Sequence, residues 1–472
     1  MEVKRPSVFM SLIPFIFLVV SVYIGVFVYK TDIQILLLLS ASVAAIVATS
    51  CGMKWEEIEK SIIDSIKISL PSILILAIIG IIIGTWILSG AVPTIIYYGL
   101  KILSPKYFLV TTALICTIIS LATGSSWTTI STVGVALMGI GAGLGVPEEM
   151  IVGAIISGAF FGDKMSPLSD VTNIIPAVVE TTLFEHIKHM LFTTVPALVI
   201  SLVIYLIIGL ENFSSGTVNT DSIHLILNSL DRSFYIHPVN LIPIVIVFTL
   251  VIKKMSPIPA LFIGGVLGGV FSMMLQGAKL GEVIQTAHYG YISNTGVEII
   301  DKLLSRGGYN SMFWVISLII AAMCFGGIIE SSGMLHVLSE RIIRNVKSLG
   351  QLTVATLFTS FFVAFAVGNT YLSLILPGRM FKNEYENRNL AKKQLSRTIS
   401  DIGTLAPPLI PWADSGAFIY ATLGVSALKY IPYSYLCILT PIIAVIFGYT
   451  NRFIAYDVKI STRVTVIDVG LD

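Results

Sequence analysis

Apolar runs long enough to cross a membrane recur along the whole chain and restrict it to one fold class. A helix needs about 20 consecutive apolar residues to span the hydrocarbon core of a bilayer. Runs of about this length occupy residues 9–29, 34–50, 190–210, 255–275 and 435–449. The mean hydropathy is +0.90 and 12% of the residues are charged, whereas soluble domains have about 25%. The sequence predicts an all-α polytopic membrane protein with about ten to twelve membrane segments.

The charge balance and the absence of familiar motifs exclude several classes of function. The chain has 29 Lys and Arg against 27 Asp and Glu, a formal net charge of +2. With no basic face in the sequence, we expect no nucleic acid partner. No segment resembles a phosphate loop, a nucleophile elbow or a thiolate metal site. We therefore expect neither ATP-driven transport by this chain nor an enzyme, and no cofactor.

A polar connection divides the chain near its midpoint. Residues 211–240 form the least hydrophobic long connection between apolar segments. Turn-forming residues within it indicate a boundary. The sequence predicts a first membrane repeat at 1–210, a second at 241–453 and a C-terminal tail at 454–472.

A helix-breaking stretch at residues 162–173 places ionisable groups between two apolar runs. It reads Gly-Asp-Lys-Met-Ser-Pro-Leu-Ser-Asp-Val-Thr-Asn and contains Asp163, Lys164 and Asp170. A charge at the bilayer centre costs about 3 kcal/mol on insertion scales, so it is rarely kept unless it pairs, lines a cavity or carries an ion. The stretch is therefore a candidate transport site.

Both halves of the chain contain the same order of interruptions. In the first half a break at 123–126 is followed about forty residues later by 162–173. In the second half a break at 367–370 is followed by 401–408 and 411–416. Paired Gly and Pro interruptions indicate an inverted-repeat transporter with broken helices around its site. The alternative is that Gly and Pro only kink ordinary spanning helices.

Basic residues on both sides of residues 352–377 favour a re-entrant hairpin there. The flanking cations are Arg341, Arg344, Lys347, Arg379, Lys382, Arg388, Lys392, Lys393 and Arg397. If both clusters are cytoplasmic, the segment between them cannot cross the membrane once. Residues 368–370 would then form the tip of a hairpin at a transport cavity. The repeat predicts a second hairpin with its tip at 124–126.

Oxygen-bearing side chains around the first break suit a small cation. Asp163 and Asp170 are seven residues apart, with Pro167 interrupting the helix between them. The stretch also contains Ser166, Ser169, Thr172 and Asn173. Together with freed main-chain carbonyls, these are the hard ligands that Na⁺ prefers. We expect Asp163 and Asp170 to bind Na⁺ and a proton in competition.

The roles of the other charged residues in these stretches stay open. Lys164 is either an internal counter-ion released when Na⁺ neutralises the aspartate, or an anchor that extends to the interface. It could also form a structural ion pair with Asp163. Asp401 could be a helix N-cap at the interface. Asp414 follows a proline-rich break and lies where the repeat places the second half of the site.

The candidate ligands at the two hairpin tips are Ser125, Ser126, Asn369 and Thr370, although such residues are also common in simple turns.

Two further features have weaker signals. Residues 55–67 alternate charge and isoleucine at helical spacing, which predicts a helix lying on the membrane surface. His186 and His189 could share a helix face and sense pH, or form an ordinary interfacial pair.

The stretch at 157–170, Ser-Gly-Ala-Phe-Phe-Gly-Asp-Lys-Met-Ser-Pro-Leu-Ser-Asp, resembles the signature of NhaC-type sodium/proton antiporters. Residues 290–296, 304–308 and 408–412 are similar to other parts of that family. The resemblance covers nearly the whole chain. One departure from the family pattern follows Pro411-Trp412, where this chain has Ala413 and Asp414 instead of Asn and a hydroxyl or small residue.

This resemblance implies exchange of Na⁺ for H⁺ in a prokaryotic cytoplasmic membrane, by an inverted-repeat fold that is often a dimer. It also admits a second activity, because relatives exchange protons and sodium together with organic acids such as malate and lactate. An amino acid substrate belongs to the same alternative. A channel would differ from both in showing downhill flux without coupling, and a scaffold would give no reason to keep Asp163 and Asp170 in the core.

Overall fold

The computed structural model describes residues 5–213, 220–344 and 346–457, and most of these residues lie in helices. Within them no β-strand forms, and the one extended contact is an isolated bridge between Leu390 and Tyr456. The helices are α1 Val8–Val22, α2 Ile33–Ser50, α3 Trp55–Leu88, α4 Ala91–Ile102, α5 Pro105–Thr123, α6 Ser126–Thr129, α7 Val135–Gly143, α8 Glu148–Met165, α9 Asp170–Val179, α10 Leu183–Asn212, α11 Thr220–Ser233, α12 Ile242–Ile252, α13 Pro257–Leu275, α14 Leu280–Tyr289, α15 Glu298–Leu304, α16 Phe313–Ser331, α17 Met334–Ile343, α18 Leu349–Val367, α19 Thr370–Asn387, α20 Lys392–Gly403, α21 Asp414–Leu423, α22 Ala427–Tyr430 and α23 Tyr435–Thr450. Two π-helical turns, Tyr23–Val28 and Ile130–Gly134, and four 3₁₀ turns, Pro238–Leu241, Tyr309–Met312, Pro407–Leu409 and Ile431–Tyr433, connect some of them.

Eight helices of the described ranges are long and apolar enough to cross a membrane, or ten if two bent helix pairs each count as one span. The bent pairs are Ile223–Ser233 with Pro238–Ile252, at 86°, and Ala427–Tyr433 with Tyr435–Thr450, at 60°. The prediction of an all-α polytopic membrane protein is confirmed. The inverted relation between the two halves stays a prediction.

Helix α3 differs from the prediction for residues 55–67. Those residues are not a separate surface helix, because α3 continues unbroken from Trp55 to Leu88 and Pro71 lies within it. At 1.5 Å per residue, its 34 residues extend about 51 Å, whereas the hydrocarbon core is about 30 Å thick. The helix is therefore long enough for its charged first turns to extend beyond the apolar layer, which accounts for their amphipathic pattern without a break.

Each predicted hairpin tip coincides with a helix break at a left-handed glycine. Gly124 ends α5 with φ 69° and ψ 23°, and Gly368 ends α18 with φ 69° and ψ 20°. A side chain on Gly124 would lie 2.6 Å from the main-chain carbon of Leu168. Glycine is required there, because it permits both the positive φ and the close approach to the neighbouring break.

The two breaks in the longer helices lie beside these tips. The first separates α8 from α9 at residues 166–169, where Pro167 cannot continue the helical ladder. The second separates α20 from α21 and contains the 3₁₀ turn Pro407–Leu409. Helix α9 packs against α19 and α20, so the two halves of the chain meet around the breaks.

The predicted domain boundaries stay a prediction. The connection at 211–240 contains helix α11, Thr220–Ser233, and its residues 214–219 lie outside the described ranges. Of the predicted tail at 454–472, the described part ends at residue 457.

Candidate functional site

One cavity of about 390 Å³ lies where the two tips and the two breaks meet. Seven of the residues predicted from sequence line it: Ser125, Ser126, Asp163, Lys164, Asp170, Thr370 and Asp414. The structure thus brings together polar groups from both halves of the chain, as the paired interruptions predicted.

Asp163 lies near the end of α8 and accepts hydrogen bonds on both carboxylate oxygens. The Ser126 hydroxyl donates to Oδ2 at 2.6 Å and the Ser126 amide to the same atom at 3.3 Å. The Ser169 hydroxyl donates to Oδ1 at 2.6 Å. The first hairpin tip and the first break therefore hold this carboxylate in place from two sides. We call Gly124, Ser125, Ser126 and Asp163 the first tip module.

Asp414 is held in the same way by the second tip, as the first residue of α21. The Thr370 amide donates to Oδ2 at 2.9 Å, and the Thr370 hydroxyl donates to Oδ1 at 2.7 Å. The Ser415 amide also donates to Oδ1, at 2.6 Å. A carboxylate in the first turn of a helix gains from the helix dipole. We call Gly368, Asn369, Thr370 and Asp414 the second tip module.

Asp170, the first residue of α9, is exposed and joins the two modules. Its Oδ2 accepts a 2.5 Å hydrogen bond from the Tyr371 hydroxyl, which follows the second tip. Tyr371 also lines the cavity. Tyr371 is not among the residues predicted from sequence, although its position directly after Thr370 was a usable signal. Trp127 and Phe418 add a second link between the modules, with stacked rings 4.3 Å apart.

Two of the predicted ligands, Ser166 and Thr172, bond to main-chain carbonyls beside the first tip and the first break, and they do not line the cavity. The Ser166 hydroxyl donates to the Leu121 carbonyl at 2.8 Å. The Thr172 hydroxyl donates to the carbonyls of Asp163 and Lys164, at 2.9 and 3.0 Å. Carbonyls that the break frees are therefore capped by side chains, and they are occupied in this conformation.

The same holds for the two amide side chains of the predicted set. The Asn173 side chain donates to the carbonyls of Pro167 and Ser169, at 2.9 and 2.6 Å. Asn369 is buried, and its side-chain oxygen caps α19 through the Leu372 amide at 3.1 Å. Its Nδ2 has no hydrogen-bond partner within residues 5–213, 220–344 and 346–457. A role for either residue as an ion ligand stays a prediction.

Lys164 forms a buried ion pair that none of its predicted roles included. Its Nζ lies 2.5 Å from Asp401 Oδ1, and both side chains are 0% exposed. The Thr193 hydroxyl donates to the same oxygen at 2.9 Å. Lys164 therefore neither pairs with Asp163 nor extends to the interface. Asp401 lies inside α20 and is fully buried, so it does not cap a helix at the interface. Its partner, Lys164, comes from α8 and is 237 residues away in sequence.

His186 and His189 share a face of α10, as predicted, but that face is buried and not interfacial, and pH sensing stays a prediction. His186 and His189 are both buried between α10 and α20. His186 Nδ1 bonds to the Ser396 hydroxyl, and His189 Nε2 donates to Gln394 Oε1 at 2.9 Å. An interfacial pair would face headgroups, whereas this one faces the polar side of α20.

Protein ligands for a cation in the cavity would be carboxylates and hydroxyls. In the described ranges, no three His, Cys, Asp or Glu side chains cluster closely enough to hold a metal ion. An ion at Asp163 would need hydroxyl oxygens or water to complete its shell, as hard cations accept. The assignment of Asp163 and Asp170 as Na⁺ ligands stays a prediction.

Comparison with known proteins covers the whole chain. The model of the Na⁺/H⁺ antiporter family matches residues 5–163 and 158–452. The Na⁺/H⁺ antiporter NhaC of Alkalihalophilus pseudofirmus is 40% identical over 447 residues, 94% of this chain and 96% of the relative. NhaC of Bacillus subtilis is 38% identical, over 93% of this chain and 97% of the relative. The malate-2H⁺/Na⁺-lactate antiporter of Bacillus subtilis is 36% identical, over 96% and 97%.

These relatives are transporters and not enzymes, and the eight to ten apolar helices agree with a multi-pass protein of the cell membrane. The resemblance seen in the motif at 157–170 is confirmed by the match along both halves. The chain belongs to the Na⁺/H⁺ antiporter family.

Proposed function

We propose that this chain exchanges Na⁺ for H⁺ across the cytoplasmic membrane by alternating access. The charge of the cavity is the observation that carries this proposal. Three carboxylates line it: Asp163, Asp170 and Asp414. Of the two lysines that also line it, Lys254 lies in the exposed turn after α12 and Lys164 is paired with Asp401. A cavity with this excess of negative charge attracts cations and repels anions.

Competition for the same oxygens would couple the two ions. Ser126 and Ser169 donate hydroxyl hydrogens to Asp163 in this conformation. A hydroxyl can rotate and present its lone pairs instead, so these two side chains could turn from donors into Na⁺ ligands. Na⁺ would then replace the proton on the carboxylate, and each ion would leave when the other arrives. Asp170 would provide the more exposed entry to the same site.

Exchange of a small organic acid or amino acid, coupled to Na⁺ and H⁺, is the second candidate. The cavity volume of about 390 Å³ lies within the usual range for small-molecule sites, and one relative is a malate/lactate antiporter. An anionic substrate would need free amide donors at the tips. The amides of Ser126 and Thr370 already donate to Asp163 and Asp414, which favours the cation.

Proteoliposomes with a preset pH gradient distinguish these functions. We expect added Na⁺ to collapse the gradient in the wild type and not in Asp163→Asn. A collapse that requires malate or lactate as well as Na⁺ would support the second candidate instead. Downhill Na⁺ flux without proton movement would indicate a channel and contradict the proposal.

The inverted repeat and a homodimer complete the proposed architecture. The two tip modules support the repeat, because they share local geometry at corresponding places in the two halves. The dimer comes from the family resemblance, and light scattering of the detergent-solubilised protein tests it. A monomeric mass would contradict the dimer and leave the exchange proposal intact.

A further inference from the structure

The ion pair of Lys164 and Asp401 connects the cavity to helix α20. Lys164 lines the cavity, and its Nζ lies 2.5 Å from Asp401 Oδ1. Both side chains are fully buried. A buried pair of this kind is weak evidence for a stabilising role, because desolvating two charges offsets their attraction.

The two carboxylate oxygens of Asp401 differ in their hydrogen bonds. Its Oδ1 accepts hydrogen bonds from Lys164 and from the Thr193 hydroxyl, whereas its Oδ2 has no partner among the residues that the structure describes. Asp163 and Asp414 differ, since both oxygens of each accept hydrogen bonds. A buried carboxylate oxygen without a donor is uncommon and calls for a specific explanation.

A second cation lies one helical turn away, on the same face of α20. Arg397 is 1% exposed and precedes Asp401 by four residues. Its Nη1 donates to the Phe453 carbonyl at 2.8 Å, but its Nε finds no partner within the described part of the chain. Side chains four residues apart on a helix have Cβ atoms about 5–6 Å apart. The unpaired donor and the unpaired acceptor are therefore complementary and within reach of each other.

We propose that Asp401 exchanges partners between Lys164 and Arg397 during the transport cycle. In the conformation described here Lys164 is held by Asp401, and the carboxylates of Asp163 and Asp170 are open to a cation. After the cation leaves, Lys164 turns into the cavity and neutralises those carboxylates, while Asp401 pairs with Arg397 through Oδ2. This inference rests on the proposed function, and it makes Arg397 a positioning residue.

Two variants should move Na⁺ binding and turnover in different ways. In Asp401→Asn, Lys164 loses its charged partner and competes with Na⁺ for the cavity, so Na⁺ affinity should fall by about tenfold. In Arg397→Gln, Asp401 has no second cation to pair with and stays paired with Lys164 throughout the cycle. Na⁺ affinity should then stay close to that of the wild type, while the exchange rate falls by about tenfold. Binding of radioactive Na⁺ to the purified full chain and flux in proteoliposomes provide the two readouts.

Controls separate this exchange of partners from a structural role. Arg397→Lys keeps the charge and should recover part of the lost rate. Arg388→Gln removes an arginine that donates to Glu384 and to the Val346 carbonyl, away from the cavity, and it should change neither readout. If Asp401→Asn and Arg397→Gln both lower Na⁺ affinity and the melting temperature together, the proposal is overturned.

Na⁺ binding is measured without a proton gradient, so it tests the partner exchange even where the proton coupling of the proposed function fails. A wild-type chain that binds Na⁺ but moves no protons would contradict the proposed function alone. Equal Na⁺ affinity in Asp401→Asn and the wild type would contradict the partner exchange alone.

Discussion

The two tip modules have the same construction and differ in their access to water. In each, a left-handed glycine ends a helix, and the N-terminal residues of the next helical segment hold a carboxylate through an amide and a hydroxyl. Asp163 is half-buried beside the exposed Asp170. Asp414 is 2% exposed, and its partners are Thr370 and Ser415. The first module is therefore open in this conformation and the second is closed.

This difference indicates a division of roles between two similar structures. In the proposed function the open carboxylate, Asp163, receives the ion, whereas the closed one, Asp414, accepts hydrogen bonds that hold the second tip against α21. The Asp414 amide adds to that closure by donating to the Gly368 carbonyl at 2.8 Å. If the two halves exchange roles in the opposite conformation, the second module would open as the first one closes. The predictions below test this division, starting with the largest effect.

Asp163→Asn should abolish exchange. Loss of a charged partner in a site of low dielectric costs about 3–5 kcal/mol, which corresponds to a decrease of at least about 100-fold in rate. The initial rate of Na⁺-driven proton movement measures it. Asp64→Asn is the matched control, because Asp64 is exposed on α3 and pairs with Lys67. Activity above half of the wild-type rate in Asp163→Asn would remove the first module from the mechanism.

Asp414→Asn should reduce exchange less, by about 10- to 100-fold, because hydrogen bonds to a charged group contribute about 1.5–3 kcal/mol. The neutral amide loses charge and one acceptor but can still occupy the first turn of α21. Flux and melting temperature should be recorded together. An effect as large as that of Asp163→Asn, with unchanged melting temperature, would show that both carboxylates bind the ion.

Tyr371→Phe should weaken Na⁺ binding by about tenfold, since it removes one hydrogen bond to the Asp170 carboxylate. This bond links the second tip to the first break. Tyr385→Phe is the control on the same helix, because its hydroxyl bonds Thr356 away from the cavity. Equal effects of the two substitutions on Na⁺ affinity would show that the link does not act on the site.

Glu180→Gln should have the smallest effect. Glu180, in the exposed turn after α9, pairs with Lys382 at 2.7 Å and Lys392 at 3.0 Å. Hydrogen bonds from these lysines lower the pKa of Glu180 to about 2. A lowered folded-state pKa contributes stability that is present above the unfolded pKa, about 4.3, and is lost as pH falls towards 2. Melting curves should show a small difference from the wild type at neutral pH that disappears in this acidic window. A difference independent of pH would contradict the ion-pair origin.

Several parts of the fold and site could be predicted because their signals are local in sequence. Gly124 and Gly368 mark the tips, since a left-handed backbone at the end of a helix strongly favours glycine. Pro167 marks the first break, because it lacks an amide hydrogen. Asp163 and Asp414 could be singled out for the same kind of reason, as charges within apolar surroundings.

The remaining parts depend on contacts between distant segments. Lys164 and Asp401 are 237 residues apart, and no pattern around either of them identifies the other. The burial of His186 depends on the polar face that α20 presents to α10. The separate surface helix predicted at residues 55–67 was wrong, because an amphipathic first turn has the same sequence pattern whether a helix lies on a membrane or extends out of it.

Competition of Na⁺ and protons for Asp163 is tested most directly by the binding of radioactive Na⁺ to the purified chain at several pH values, in the wild type, Asp163→Asn and Asp414→Asn. We expect the wild-type affinity for Na⁺ to fall as pH is lowered, because protons compete for Asp163. We also expect Asp163→Asn not to bind Na⁺ and Asp414→Asn to bind it more weakly. Wild-type binding that does not change with pH, or full binding in Asp163→Asn, would contradict this competition.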